Sequence, residues 1–236
     1  MYRINTTTRH ITRQHFIPPT ETERQWQARL TYTVDFAKTW SLKCFFTTPR
    51  DMVTWLKIQH RNLFTASRND QTNGICRACG WELENQIHLA RCRIINRDFW
   101  DKVLQLIEDL GGDIPATRSE RTEYLIAGRI NNTQYVKDME TGIIALAWRV
   151  LYAETVSAHI DKQNVNARKA LGRLASLLQE RLIAYGERWK KWCDTRTHTS
   201  QKNTIPLKYQ ERGVISQDPM GNYTINPRIR AWELNI

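Results

Sequence analysis

The feature that most limits what this chain can fold into is a group of three cysteines and one histidine. Cys76, Cys79, His88 and Cys92 are spaced C-x2-C-x8-H-x3-C. Two cysteines separated by two residues on a tight turn can direct both thiolates at one ion about 2.3 Å away. A histidine and a cysteine four residues apart share one face of a helix. The spacing therefore predicts a structural Zn²⁺ site, because four protein ligands leave no open position for water or substrate.

The residues around this motif support the same interpretation. Gly80 follows the first cysteine pair, and we expect it to adopt a positive φ angle that turns backbone amides towards the sulfurs. The alternative is a cluster of buried thiols with an unrelated histidine. Of the remaining cysteines, Cys44 is expected in the core and Cys193 has no predicted role. Five cysteines in 236 residues are too few for a disulfide-stapled secreted domain.

Hydrophobic periodicity predicts a mainly α-helical fold. The cysteine and histidine motif adds an embedded CCHC zinc knuckle to this helical domain, and the two ends of the chain are predicted to be extended basic tails. Thr48 is expected to cap a helix that has Pro49 at its first position, an acid in its first turn and an end near Ser67. The other helices are predicted over 21–46, 84–110, 120–130, 139–160 and 166–193. The domain organisation follows as a basic arm or targeting segment at 1–20, a helical domain at 21–194 with the knuckle at 76–92, and a tail at 195–236.

Two of these helices are expected to form the centre of the fold. Residues 139–160 are apolar on most of their surface, which is typical of a buried helix. Residues 166–193 carry a stripe of leucines that includes Leu178, and we expect it to pack antiparallel against 139–160. The alternative is a coiled coil with a partner. Beyond Thr195 the pattern is irregular, apart from a turn at 218–221 and a short strand at 222–225.

The positive charge lies mainly at the two ends. The net charge is +11, with three basic and no acidic residues in 1–20 and fourteen basic against seven acidic residues in 161–236. Basic ends flanking a nearly balanced middle favour contact with a polyanion such as RNA, although a solvated surface is the alternative. The predicted nucleic-acid contacts are Arg3, Arg9, Arg13, Arg168, Lys169, Lys190, Lys191, Arg196, Lys202 and Lys208.

Several other functions find no support in the sequence. There is no phosphate-binding glycine loop and no nucleophile elbow, and the acidic pairs Glu82/Glu84 and Glu108/Asp109 are interpreted as solvated faces. We therefore predict a protein that is not an enzyme and has no small-molecule substrate. No uninterrupted apolar run reaches about 18 residues, so we predict a soluble intracellular protein without a transmembrane segment. The arginine-rich, acid-free first twenty residues resemble a mitochondrial transit peptide and equally suit an RNA-contacting arm.

The residues around the motif also resemble a known family. They include Trp55-Leu56-Lys57, Arg61-Asn62-Leu63, Cys76-Arg77-Ala78-Cys79-Gly80, Glu84-Asn85-Gln86-Ile87-His88-Leu89, Cys92 and Phe99-Trp100. This pattern is similar to the zinc-binding segment C-terminal to the reverse transcriptase in non-LTR (LINE-type) retroelement polyproteins. The likeness covers roughly residues 52–112 and continues more faintly through 166–193 to about 227. It implies that Cys76, Cys79, His88 and Cys92 are the zinc ligands and that the family role is nucleic-acid binding.

The chain also departs from that family. It contains neither the Tyr-x-Asp-Asp of a polymerase nor the acidic motif of an endonuclease. We therefore expect a domesticated, non-catalytic fragment that serves as a subunit of a large ribonucleoprotein. The leading expectation is a mitochondrial ribosomal protein that contacts rRNA and neighbouring subunits. The alternatives are an accessory subunit of a respiratory or photosynthetic complex, a nuclease or polymerase fragment, and a location in another organelle or the nucleus.

Overall fold

The computed structural model describes residues 24, 47–60, 63–68, 73–109, 112, 114–128, 138–195, 215–217, 219 and 223–225. Within these ranges the fold is mainly helical, as predicted. A 3-10 turn at Ala66–Arg68 and a π-helical turn at Asn96–Trp100 supplement the regular elements. These are α1 (Pro49–Gln59), α2 (Gln86–Arg91), α3 (Arg93–Ile95), α4 (Asp101–Asp109), α5 (Arg118–Ala127), α6 (Asp138–Ile160), α7 (Ala167–Thr195), β1 (Ile215–Gln217) and β2 (Tyr223–Ile225).

Helix α1 begins where the sequence predicts but ends earlier. The Asp51 carboxylate accepts hydrogen bonds from the backbone N–H of Thr48 at 2.6 Å and from its hydroxyl at 2.8 Å. The helix ends at Gln59, so the predicted extension towards Ser67 is wrong. Glu84 accounts for the difference, because its backbone and side-chain oxygens accept the N–H groups of Ser67 and Ala66. These tertiary hydrogen bonds replace the helical ones that a longer α1 would need.

The predicted helix over 84–110 is interrupted. Asn85 caps α2, and its side chain accepts the N–H of His88 at 2.9 Å. Cys92 then adopts φ −56° and ψ 125°, which is extended backbone, before the chain continues through α3, the π-helical turn and α4. The break falls on the last residue of the motif, which belongs to the cysteine and histidine cluster described below.

The short helix predicted over 120–130 is α5, displaced by two or three residues. It begins with a capping box in which Thr117 and Glu120 bond each other's backbone N–H groups. It ends at Gly128, whose φ of 68° is the left-handed conformation that favours glycine.

Helix α6 is the centre of the described core, as predicted. Ile144, Leu146, Trp148 and Leu151 are fully buried, and α6 packs against α1, α4 and α7. By length and composition α6 could also cross a membrane, but 61% of its apolar window is buried inside the protein. Its surroundings are therefore those of a core helix.

Helix α7 returns along α6 after a short connection and supplies the second half of the core. Leu171, Leu174 and Leu178 are buried against it, which confirms the predicted antiparallel pair as far as side chains are described. The predicted strand is β2, which pairs antiparallel with β1, a strand that the sequence pattern did not indicate. The predicted helix over 21–46, the basic arm and Cys44 lie outside the described residues, apart from helical Arg24.

Two tryptophans fix the smaller helices on this core. Trp100 Nε1 donates to the carbonyl of Leu89 in α2 at 3.0 Å, and Trp148 Nε1 donates to that of Leu125 in α5 at 2.7 Å. The two indole rings lie 5.0 Å apart between centroids. Each indole N–H satisfies a buried carbonyl, so both large side chains can be buried without an unpaired donor.

Candidate metal centre

A narrow hairpin presents the first two cysteines. Ile75 and Leu83 form an antiparallel bridge, and the N–H of Cys76 donates to the carbonyl of Glu82 at 2.8 Å. The N–H of Gly80 donates to the carbonyl of Cys76 at 2.8 Å and closes the turn of this hairpin. Gly80 has φ 80°, which confirms the positive angle expected from its position after the cysteine pair.

The hairpin and the end of α2 bring all four predicted ligands together. Cys76, Cys79, His88 and Cys92 are buried, and their ligand atoms lie within 4.8 Å of one another. Cys79 Sγ and His88 Nε2 are 3.5 Å apart. In a tetrahedral site with bonds of about 2.3 Å to sulfur and about 2.0 Å to nitrogen, these atoms would be separated by about 3.5 Å. The four residues can therefore hold one metal ion.

Without a metal, the environment of the cluster favours a thiolate at Cys92 and a protonated thiol at Cys76. The hydrogen bond from Cys76 lowers the pKa of Cys92 to about 4, against the effect of burial, and His88 and the backbone N–H groups of Ile95 and Ile94 act in the same direction. The same Cys92 bond and burial raise the pKa of Cys76. Burial lowers the pKa of His88, but its bonds to Cys92 and Cys79 outweigh this and raise it to about 9. A bound cation would replace the shared protons and favour three thiolates and a neutral imidazole.

Glu82 orients the histidine. Its carboxylate lies 3.0 Å from His88 Nδ1, so the proton on Nδ1 is held there and Nε2 is left to face the sulfurs. Arg91 lies 3.7 Å from the same carboxylate. Carboxylates in this position fix the tautomer of metal-binding histidines and increase their basicity. The interpretation of Glu82 as a solvated residue missed this role, although half of its side chain is exposed.

Glu84 is also not a solvated residue, because it is fully buried and forms part of a polar chain. Arg77 Nε donates to His159 Nδ1 at 2.9 Å, and His159 Nε2 lies 2.9 Å from Glu84 Oε1. The N–H of Val165 also donates to the carbonyl of Arg77 at 3.3 Å. These contacts attach the hairpin to the C-terminal end of α6 and to the connection between α6 and α7.

The structure describes only part of the predicted nucleic-acid surface. Arg168 and Lys169 lie side by side at the start of α7, with side chains 61% and 64% exposed. Each lies near an acid of the same protein, with Arg168 3.9 Å from Asp98 and Lys169 3.3 Å from Glu154. Lys190 and Lys191 belong to α7, but their side chains lie outside the described set. The remaining predicted contacts, also outside the described residues, are Arg3, Arg9, Arg13, Arg196, Lys202 and Lys208.

Comparisons of the chain with protein-family models, curated proteins and solved structures find no match. The donor atoms of the site and their geometry define a buried Cys/His cluster that can bind a metal ion in a mainly helical protein.

Proposed function

We propose that this chain is a non-catalytic, zinc-binding structural subunit of a large ribonucleoprotein. The observation that carries the proposal is the closed cluster of Cys76, Cys79, His88 and Cys92, whose four ligand atoms are buried together. Four protein ligands would complete a tetrahedral shell, so a substrate would have no position on the metal. The metal would instead fix the hairpin to α2.

Zinc suits this donor set better than the other common metals. Three thiolates and one imidazole are soft and borderline ligands, which disfavours Mg²⁺ and Ca²⁺. Zinc accepts a tetrahedral shell without a preferred d-electron geometry and has no redox chemistry that a buried structural site would have to control.

The ribonucleoprotein part of the proposal rests on the distribution of charge. Most of the net positive charge lies in 1–20 and 161–236, and such segments neutralise phosphates with little reading of base sequence. Together with the transit-like N-terminus and the resemblance to a retroelement zinc segment, this favours a mitochondrial ribosomal protein that contacts rRNA. One observation favours the alternative of an accessory subunit in a protein complex: Arg168 and Lys169 already face acids of their own fold.

The metal is tested by elemental analysis of the purified full chain. We expect one zinc per chain, and we expect the Cys193→Ser variant to retain it because this cysteine is not one of the four predicted ligands. A Cys92→Ser variant should lose it. A chain that carries no metal after purification and gains none from added zinc would contradict the structural site.

The assembly is tested by purifying the native particle that contains this chain and measuring its RNA content. We expect stoichiometric RNA, ultraviolet crosslinks within 1–20 or 161–236, and binding that weakens steeply with salt. A particle made of protein alone would reject the ribonucleoprotein and favour the accessory subunit. Its apolar interfaces would then persist at high salt.

A further inference from the structure

A cavity of about 390 Å³ lies between the π-helical turn and α5. Four arginines line it, and they come from three different elements: Arg93 from α3, Arg97 from the π-helical turn, and Arg118 and Arg121 from α5. Asp101 is the one acidic residue among the lining side chains.

Two of these four positive charges are not offset by a carboxylate in the described part of the chain. Arg97 forms a two-point ion pair with Asp98, with distances of 2.7 and 2.8 Å. Arg118 Nη2 donates to the carbonyl of Arg91 at 2.6 Å, and Arg121 Nε donates to that of Pro115 at 2.8 Å. A neutral carbonyl orients a guanidinium group but does not cancel its charge.

Arg93 adds a further positive charge to the cavity. Its side chain is exposed, and it forms no ion pair with any acid in the described part of the chain. Arg93, Arg118 and Arg121 therefore face one cavity against the single carboxylate of Asp101.

The shape of the cavity suits a ligand with an anionic end. Ile94, Leu104 and Leu125 give it an apolar part beside the guanidinium groups. Arginine presents several N–H donors in a planar fork, which matches the oxygens of a phosphate group in two-point contacts. The cavity also adjoins a π-helical turn, and such turns occur frequently at functional sites.

We propose that this pocket binds a phosphate group, supplied by the backbone of an RNA strand. Arg93, Arg118 and Arg121 provide the positive charge, and Asp101 limits the affinity for the anion. The inference deepens the proposed function by placing one RNA contact on the folded domain, apart from the basic tails. A free phosphate presents the same chemistry, so the test separates the two sources.

The test compares charge reversal inside and outside the pocket in the zinc-loaded full chain. Arg93→Glu changes a lining residue, whereas Arg50→Glu makes the same change at an exposed position in the first turn of α1. Binding of a short labelled single-stranded RNA is measured by fluorescence anisotropy over a range of salt concentrations. Binding of inorganic phosphate is measured by calorimetry, and circular dichroism checks that both variants fold.

We expect Arg93→Glu to bind RNA about tenfold more weakly than Arg50→Glu, with the salt dependence reduced by about one phosphate contact. Asp101→Asn should bind RNA more tightly than the wild-type chain because it removes the opposing charge. If Arg93→Glu abolishes binding of inorganic phosphate but leaves RNA binding equal to that of Arg50→Glu, the pocket takes free phosphate and the RNA source is rejected. If Arg93→Glu and Arg50→Glu bind RNA equally and also bind inorganic phosphate equally, the proposed pocket is wrong.

The RNA contact rests on the proposed function, but failure of the pocket and failure of the ribonucleoprotein give different results. If the native particle contains RNA but Arg93→Glu and Arg50→Glu bind both probes equally, the ribonucleoprotein proposal stands and the pocket proposal is wrong. A particle without RNA, combined with phosphate binding that depends on Arg93, would keep the pocket and reject the ribonucleoprotein.

Discussion

The hairpin and α2 at 73–92 differ from the α6–α7 pair in how they are stabilised. The helix pair buries a continuous set of aliphatic and aromatic side chains, with Trp148 and Leu174 fully inaccessible. In the hairpin, Trp81 and Leu83 are exposed by 66% and 59%, and its buried side chains include Cys76 and Cys79. A segment of this length buries too little apolar surface to fold by itself, so small domains of this kind depend on a metal or a disulfide.

The hairpin is joined to α6 by polar contacts, whereas Leu89 of α2 is fully buried in the same hydrophobic core as the helix pair. Arg77, His159 and Glu84 form the chain of hydrogen bonds that joins the hairpin to α6. Loss of the hairpin should therefore leave the helix pair largely folded, whereas loss of the helix pair removes the surface on which the hairpin is docked.

Cys79→Ser should abolish metal binding and destabilise the chain by several kcal/mol, because a serine hydroxyl does not replace a thiolate ligand. Hydrogen exchange should show lost protection at 73–92 and retained protection in α6. Cys193→Ser is the matched control and should behave as the wild-type chain. Unchanged metal content in Cys79→Ser would refute the metal centre, and global unfolding would show that the helix pair does not stay folded without the hairpin.

Leu178→Asp should destabilise the chain by about 4 kcal/mol or more, because it places a charge in the buried interface between α6 and α7. Protection from hydrogen exchange should be lost in α6 and in the hairpin together. Ser176→Asp introduces the same charge on the exposed side of α7 and should change the stability by less than about 0.5 kcal/mol. A folded Leu178→Asp variant would show that this face does not carry the core.

Asp51→Asn should cost about 3 kcal/mol, because Asp51 is fully buried and pairs with both Arg149 at 2.9 Å and Arg181 at 2.5 Å. Denaturant unfolding at neutral pH measures this loss. Thr54→Ala removes a side-chain hydrogen bond in the same helix without affecting a charge and should cost about 1 kcal/mol. A loss of stability no larger than that of Thr54→Ala would show that the ion pairs of Asp51 with Arg149 and Arg181 do not stabilise the fold.

The same carboxylate predicts a pH dependence. Burial raises the pKa of Asp51, but its hydrogen bonds with Arg181, Thr48 and Arg149 outweigh this and lower it. Its stabilisation is therefore complete above the ordinary aspartate pKa of about 3.9 and is lost as the pH falls through the lower folded value. The free energy of unfolding of Asp51→Asn, measured as the pH is lowered, should lack this contribution. The same loss of stability with falling pH in Asp51→Asn and in the wild-type chain would refute it.

Glu82→Gln should weaken zinc binding by about tenfold to a hundredfold without unfolding the chain, because the amide holds the His88 proton less strongly than a carboxylate. Competition with a zinc chelator measures the affinity. Glu180→Gln removes an exposed carboxylate on α7 and should leave the affinity unchanged. Equal affinities of the two variants would show that Glu82 does not orient the ligand.

The predictable parts of this fold are those set by local chemistry. The capping of α1 at Thr48 and the positive φ of Gly80 follow from residues within a few positions of one another, and the ligand set follows from a spacing contained in 76–92. The end of α1 was predicted too late because Glu84, remote in sequence, takes the hydrogen bonds of Ala66 and Ser67. The break at Cys92 was missed because its sulfur belongs to a cluster that a helical pattern does not encode.

The sequence alone determined that a Cys/His cluster forms and that most of the described chain is helical, because ligand spacing and apolar periodicity are local properties. Only the tertiary structure decided which charged groups are solvated. Glu82 and Glu84 look alike in the sequence, yet one orients His88 and the other is buried against His159. Arg93, Arg118 and Arg121 converge on one cavity only because α3 and α5 are neighbours in space. Electrostatic roles depend on burial and on distant partners, and folding creates both.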